Sequence, residues 1–189
     1  MEKDKKTRIM DATESLIAHY GFRGMSMQLV ATQAGVATGT IYRYFADKEA
    51  LLRCVHEERM REVGANIIQG LDPDASRYEQ FRTLWLNTIR CLLDSPDALL
   101  YRVQYEASPL FSKEEDKELH DRYFKPIFDF FEQGRQEEVF RDLPAELLGS
   151  LALENLMLLT QKHTKGCIDL HEGLYESLID ASWNAILKR

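Results

Sequence analysis

From Ala34 to Leu52 the chain reads Ala34-Gly35-Val36-Ala37-Thr38-Gly39-Thr40-Ile41-Tyr42-Arg43-Tyr44-Phe45-Ala46-Asp47-Lys48-Glu49-Ala50-Leu51-Leu52. Gly35 stands where a helix closing at Ala34 needs a left-handed residue, the conformation glycine adopts at least cost. Thr38 to Phe45 carries Ile41 and Phe45 four apart, so they share one side of a short helix. Asp47 is a good N-cap for a further apolar run that begins at Leu51. Upstream, Ser26 is an N-cap for a helix with Met27, Val30, Ala31 and Ala34 on one face. Two short helices joined by a tight glycine turn, set between longer ones, form a helix-turn-helix unit.

Outward from this unit the pattern stays helical. Ile9, Ala12, Leu16, Ile17 and Tyr20 define helix one, which Gly21 should stop. Helix four is expected from Lys48 to about Gln69, ending at Gly70 with Pro73 beyond, as the only direct covalent link between head and body. Further helices are expected near 76–93, 97–107, 113–138, 145–163 and 171–187, with Pro126 kinking the third of these. No period-two strand is evident, so the fold class is all-α, about nine helices: an N-terminal three-helix head followed by a helical body. The 189 residues are 44% apolar and 29% charged, an ordinary globular composition. No run approaches the roughly 20 apolar residues of a membrane span, and the N-terminus lacks a secretory h-region, so the expected location is cytoplasmic and no membrane partner is expected. Net charge is −7, but residues 1–55 carry +2 and residues 56–189 carry −9. A mildly basic head on an acidic body suits a head that meets polyanions.

The segment from Gly21-Phe22 through Ser26-Met27, the Ala34-Gly35-Val36 turn, Gly39-Thr40-Ile41-Tyr42-Arg43-Tyr44-Phe45 and Asp47-Lys48-Glu49-Ala50-Leu51-Leu52 closely resembles the DNA-binding domain of TetR-family transcriptional repressors, over residues 8–55. The run from Glu132 to Pro144, with Gly134, Val139, Phe140, Arg141, Asp142 and Leu143, is similar to the AcrR-like drug-efflux regulators. The resemblance implies residues 1–47 as the DNA-binding domain and residues 48–189 as the ligand-binding and dimerisation domain. On the major groove, Thr38, Thr40, Tyr42 and Tyr44 offer hydrogen-bonding and aromatic groups, and Gly39 would let the backbone approach the duplex. Gln28, Thr38 and Tyr44 are the expected base readers, Gln28 being suited to adenine. Arg23 and Arg43 are expected nearer the phosphates. Lys48, with the amides at the start of its helix, is expected to clamp a phosphate. Ser26 completes the set as the cap that begins helix two. The chain departs from the family at Ala37, where a serine N-cap is common, and at Leu29, where an acid is common.

The body holds 14 of the 19 aromatic residues. Trp85, Tyr101, Tyr105, Tyr123, Phe124 and Phe128 fit either a ligand pocket or plain core, and Glu106, Glu154 and Asn155 fit either a ligand counter-charge or a surface edge. Leu158 joins the candidate lining. A lipophilic effector, cationic where a carboxylate meets it over aromatic rings, is the implied ligand class. Leu147, Leu148, Leu151, Leu158 and Leu159 on one helix, and Leu170, Leu174, Leu178, Ala181 and Ala185 on the last, imply a homodimer through a four-helix interface.

No cofactor or metal motif is present: His163, Cys167 and His171 lack the further ligands zinc sites take. Cys54 and Cys91 would be redox or electrophile sensors if a nearby cation lowered the thiol pKa. No nucleophile elbow, phosphate-binding loop or paired-carboxylate signature appears, so an enzyme is not expected. Two functions stay open. One is a dimeric repressor released from a palindromic operator by a small molecule, with drug efflux as the controlled process. The other is a constitutive DNA-binding regulator whose body takes a protein partner.

Overall fold

The computed structural model describes residues 4–94, 96–106 and 113–188, and the side chains of 96, 98, 99, 106, 113, 115 and 116 lie outside the description. Among the described residues the architecture is all-helical, with a single isolated β-bridge between Phe140 and Leu187. In chain order the helices are α1 (Lys5–Gly24), α2 (Met27–Ala34), α3 (Thr38–Tyr44), α4 (Lys48–Ile67), α5 (Arg77–Asp94), α6 (Pro96–Glu106), α7 (Lys113–Tyr123), α8 (Lys125–Gln136), α9 (Ala145–Gly149), α10 (Asn155–Thr164) and α11 (Tyr175–Ile186).

Among the described residues eleven α-helices stand where the pattern predicts nine, because two long segments divide. Residues 113–138 separate at Phe124, which is non-helical (φ −110°, ψ 4°), and Pro126 opens α8 where its missing N–H has no helical partner to lose. Residues 145–164 remain helical throughout, but Ser150–Glu154 form a π turn between α9 and α10. Such a turn has no residue signature comparable to proline.

The chain forms two compact units, Met1–Arg61 with Ser95–Asp116, and Glu62–Asp94 with Lys117–Arg189. The chain therefore passes between them within α4, after Asp94 and before Lys117. In the first unit α1 packs on α2 and α6, and α2 packs on α3. Its core joins Ile9, Leu16 and Ile17 of α1 with Val30, Ile41, Leu51 and Val55, and extends to Tyr101 and Tyr105 of α6. Gly21 takes a positive φ of 68° and kinks α1, and the turn from Phe22 continues in helical form to Gly24.

In the second unit α5 packs on α10 and α11, and α8 on α9. Phe81, Leu84, Trp85 and Ile89 of α5 are buried with Phe130, Phe131, Phe140 and Leu148. The Glu132–Pro144 run finds its structural reason here. A Cβ on Gly134 would lie 2.2 Å from the Phe140 ring, so glycine is what lets that ring seat against α8. Val139 and Phe140 both donate their backbone N–H to the Gly134 carbonyl. Arg135 binds Glu132 and Asp142, and with Gln136 it holds the Glu132 carboxyl down at about 2. No helix of the described residues is long and apolar enough to cross a membrane.

Candidate nucleic-acid interface

The head is built by local capping. Ser26 Oγ accepts from the Leu29 N–H at 3.2 Å and starts α2, while Gly35, at φ 63° and ψ 43°, ends it with its N–H on the Ala31 and Thr32 carbonyls. Ala37 opens α3 with no side-chain cap, as its methyl group dictates. Ile41 and Phe45 are buried, and Tyr42, Arg43 and Tyr44 are exposed, Tyr42 to 53%. Thr38 and Thr40 are half-buried, and Gly39, Gln28 and Arg23 are exposed. Leu29, the departure on α2, is also exposed, a large apolar side chain left outside the core. Apart from its chain neighbours and its own helix backbone, no described atom lies within 4 Å of where a Cβ on Gly39 would stand. Nothing among the described residues requires glycine there, although glycine weakens a helix relative to alanine.

Lys48, expected as a phosphate clamp, is also engaged within the head. Its ammonium donates to the carbonyls of Phe22 (3.1 Å) and Met25 (2.6 Å). The turn after Gly21 leaves carbonyls without helical partners, and a part-buried cation nearby satisfies them. Lys48 is thus a pin between α4 and the end of α1. The cap on α4 is Asp47, whose Oδ1 accepts from the Ala50 N–H at 2.7 Å.

Two further ties in the head escaped the sequence reading. The Arg8 guanidinium donates to the carbonyls of Ala34 and Gly35. Arg59 of α4 pairs with Glu14 of α1 and lies 4.0 Å from Asp11. Glu14 is buried among Ala12, Leu16, Ile17 and Ala18, and a carboxylate inside that apolar face was the available signal.

The candidate effector residues fall in both units, and each is described in its own setting. Trp85 is wholly buried, with its indole N–H on Ser182 Oγ at 3.3 Å. Tyr101 and Tyr105 belong to the first unit, where the Tyr105 ring stacks on His56 at 3.7 Å. Phe124 is buried and stacked on His120. Tyr123 is half-buried beneath the Arg122 guanidinium. Phe128 alone among them lines the open groove formed with Asp129, Glu132, Arg135, Asp142 and Glu146. Glu154, Asn155 and Leu158 face outward, Glu154 accepting from Ser150 Oγ and Asn155 donating to the Leu151 carbonyl. The side chain of Glu106 lies outside the description.

The open face beside Glu154 carries Leu147, Leu151 and Leu158, exposed to 51%, 46% and 54%, and Leu174 lies exposed just before α11. Ala181 and Ala185 of α11 are exposed too, whereas Leu148 and Leu170 are buried and drop out of the expected interface.

Among the described residues no cluster of three potential metal ligands forms, and the His163 ring instead accepts from the Leu170 N–H. Burial, and then the charge of Asp94, push the Cys91 thiol up, the opposite of sensor chemistry. Alkylation by iodoacetamide at pH 7.5 is therefore expected to modify exposed Cys167 well before Cys91. Mass spectrometry showing Cys91 modified first would contradict its environment.

With this geometry, comparison with known proteins is decisive. Residues 9–55 match the model of the bacterial regulatory proteins of the tetR family, and residues 77–187 match the tetracyclin repressor-like C-terminal domain. The chain belongs to the TetR family. It is a DNA-binding transcriptional regulator and not an enzyme. A relative from Haemophilus influenzae, described as an uncharacterized HTH-type transcriptional regulator, is 30% identical over 98% of this chain and 97% of its own length. A TetR-family protein of known structure from Vibrio parahaemolyticus is 37% identical, covers 98% of this chain and 100% of its own, and superposes with a TM-score of 0.84. A TetR-family regulator from Marinobacter aquaeolei shares the fold at a TM-score of 0.91, with 23% identity, 98% of this chain and 96% of its own.

Proposed function

We propose that this protein is a cytoplasmic homodimeric repressor that binds a palindromic operator and releases it when a small lipophilic molecule binds the body. The observation that carries the DNA half is α3: two buried anchors, Ile41 and Phe45, leave Tyr42, Arg43 and Tyr44 outward, beside a Gly39 that the fold does not need. Residues 1–47 supply the reading surface, with Gln28, Thr38 and Tyr44 on bases, Thr40 and Tyr42 offered to the major groove, and Arg23 and Arg43 near the backbone. Residues 48–189 pair the heads and take the effector.

Pairing is supported by the exposed leucines of α9 and α10 alongside α11, where an isologous contact would repeat one patch on both chains. Two recognition helices one turn of B-DNA apart, about 34–36 Å, then meet the two half-sites. The effector acts only as far as it binds the non-DNA conformation better. Drug efflux is the controlled process that the Glu132–Pro144 similarity suggests.

Gly39→Ala separates the roles of backbone and side chain. It is expected to stabilise the free protein by about 0.5–1 kcal/mol and to weaken operator binding, because the added methyl group stands between backbone and duplex. Urea denaturation and operator titration check both. Unchanged operator affinity would remove Gly39 from the interface.

A second reading, a constitutive regulator whose body takes a protein partner, has one observation in its favour. The aromatic residues expected around a pocket, Trp85 and Phe124 among them, fill the body's own core, and the leucine face is open. Operator binding followed by fluorescence anisotropy against lipophilic cations, acids and neutral compounds decides between them. Release by one chemical class supports the ligand-gated repressor; operator binding indifferent to all of them favours the partner-binding body.

A further inference from the structure

Residue Arg8, one turn into α1, reaches across the head to the end of α2. Its Nη2 donates to the carbonyl of Ala34, the last residue of α2, and to that of Gly35 at 3.1 Å. These carbonyls belong to a helix C-terminus, where intrahelical donors run out and a cation is favoured. A Cβ on Gly35 would lie 2.7 Å from Arg8 Nη2, so glycine serves both the positive φ and the approach of the guanidinium.

The turn held in this way, Gly35-Val36-Ala37, aims α3. At its far end Ala37 gives α3 no side-chain cap. The Val36 N–H on the Ala31 carbonyl and the Thr40 N–H on the Ala37 carbonyl hold the turn's backbone, and the side-chain support comes from α1, at a distance of 26 residues in sequence. Arg8 also lines a groove that brings Asp11, Glu14, Arg59 and Asp97 beside Ala34 and Gly35.

We propose that Arg8 is a positioning residue for DNA recognition: its guanidinium clamps the α2–α3 turn and sets the orientation of the recognition helix in place of the N-cap that Ala37 lacks. This rests on α3 being the helix that enters the DNA. Such a clamp acts before DNA arrives and contributes no phosphate contact.

The test uses the full-length chain with Arg8→Lys, which keeps the charge and loses the fork, and with Arg8→Lys combined with Ala37→Ser, which restores a cap. Hydrogen exchange on the free protein is expected to rise at residues 36–41 in Arg8→Lys, with the remainder of the head unaltered, and to fall back in the double variant. Operator affinity is expected to drop about tenfold, within the range for a lost charged hydrogen bond, with the slope of log K against log salt unchanged. Recovery in the double variant completes the expected pattern. In Arg8→Gln, which removes the charge, a slope shallower by about one unit would make Arg8 a phosphate ligand and overturn the proposal. Unchanged exchange at 36–41, or exchange raised across the whole head, would overturn it too. Should the wild type fail to bind any operator, the DNA reading of α3 fails, while the exchange result still judges the clamp.

Discussion

Glutamate at Leu151 and Leu158 together is expected to yield a folded monomer whose operator affinity is lower by at least about 100-fold. Both side chains are about half exposed on the single chain, so the substitutions leave its core alone, and surface changes of this kind usually shift stability within about 0.5 kcal/mol. In a dimer the same positions would be buried against their symmetry mates, and four carboxylates would meet in a patch that already holds Glu154. Loss of the second head removes the effective-concentration gain of two linked half-site contacts, commonly 10²- to 10⁴-fold. Analytical ultracentrifugation reads the first effect and operator titration the second. A double variant that sediments as a dimer and binds like the wild type would move the interface off the π turn and α10.

The second large effect is in the body. Trp85→Ala is expected to cost about 3–5 kcal/mol, the usual loss for a truncated buried aromatic. That is a large share of a total stability of roughly 5–15 kcal/mol. The indole is wholly buried, sits edge-on to Tyr175 at 5.6 Å and donates to Ser182. Urea denaturation should show a lower midpoint at an unchanged slope, and Trp85→Phe should lose less. A pocket-lining tryptophan would behave in the opposite way, with near-normal stability and a lost effector response. That outcome would return Trp85 to the ligand site.

The head was legible because its signals are local. Gly35 needs a left-handed residue, Ser26 a capped amide three residues on, and Ile41 with Phe45 a shared helix side, all within one or two turns of chain. Lys48 has a second role that distance in sequence hides. A lysine at a helix N-terminus looks ready for phosphate, and the fold also brings the carbonyls of Phe22 and Met25 beneath it. Arg8 and Glu14 act through partners 26 or more residues away, which no periodicity reveals.

The body shows the same limit in apolar form. Spacing identified its helices, and Pro126 marked one division, but the π turn at Ser150–Glu154 came without a sequence signal. Aromatic content fixes how much apolar surface must be buried and says little about which rings fill the core. Trp85 and Phe124 pack inward, whereas Leu147, Leu151 and Leu158 of equal hydrophobicity remain outside. The Glu132–Pro144 run, read as a family likeness, gains a packing reason in Gly134 and Phe140 that is independent of any ligand.

We propose a ligand-gated dimer that reads DNA through α3. Its most direct test is fluorescence anisotropy of the purified full-length protein on DNA from upstream of its own coding sequence, across salt and a panel of lipophilic cations, acids and neutral compounds. The predicted result is saturation at one dimer per palindromic site, affinity that falls linearly in log salt, and release by one chemical class. Sequence-indifferent binding, or saturation at a single chain per site, would contradict it.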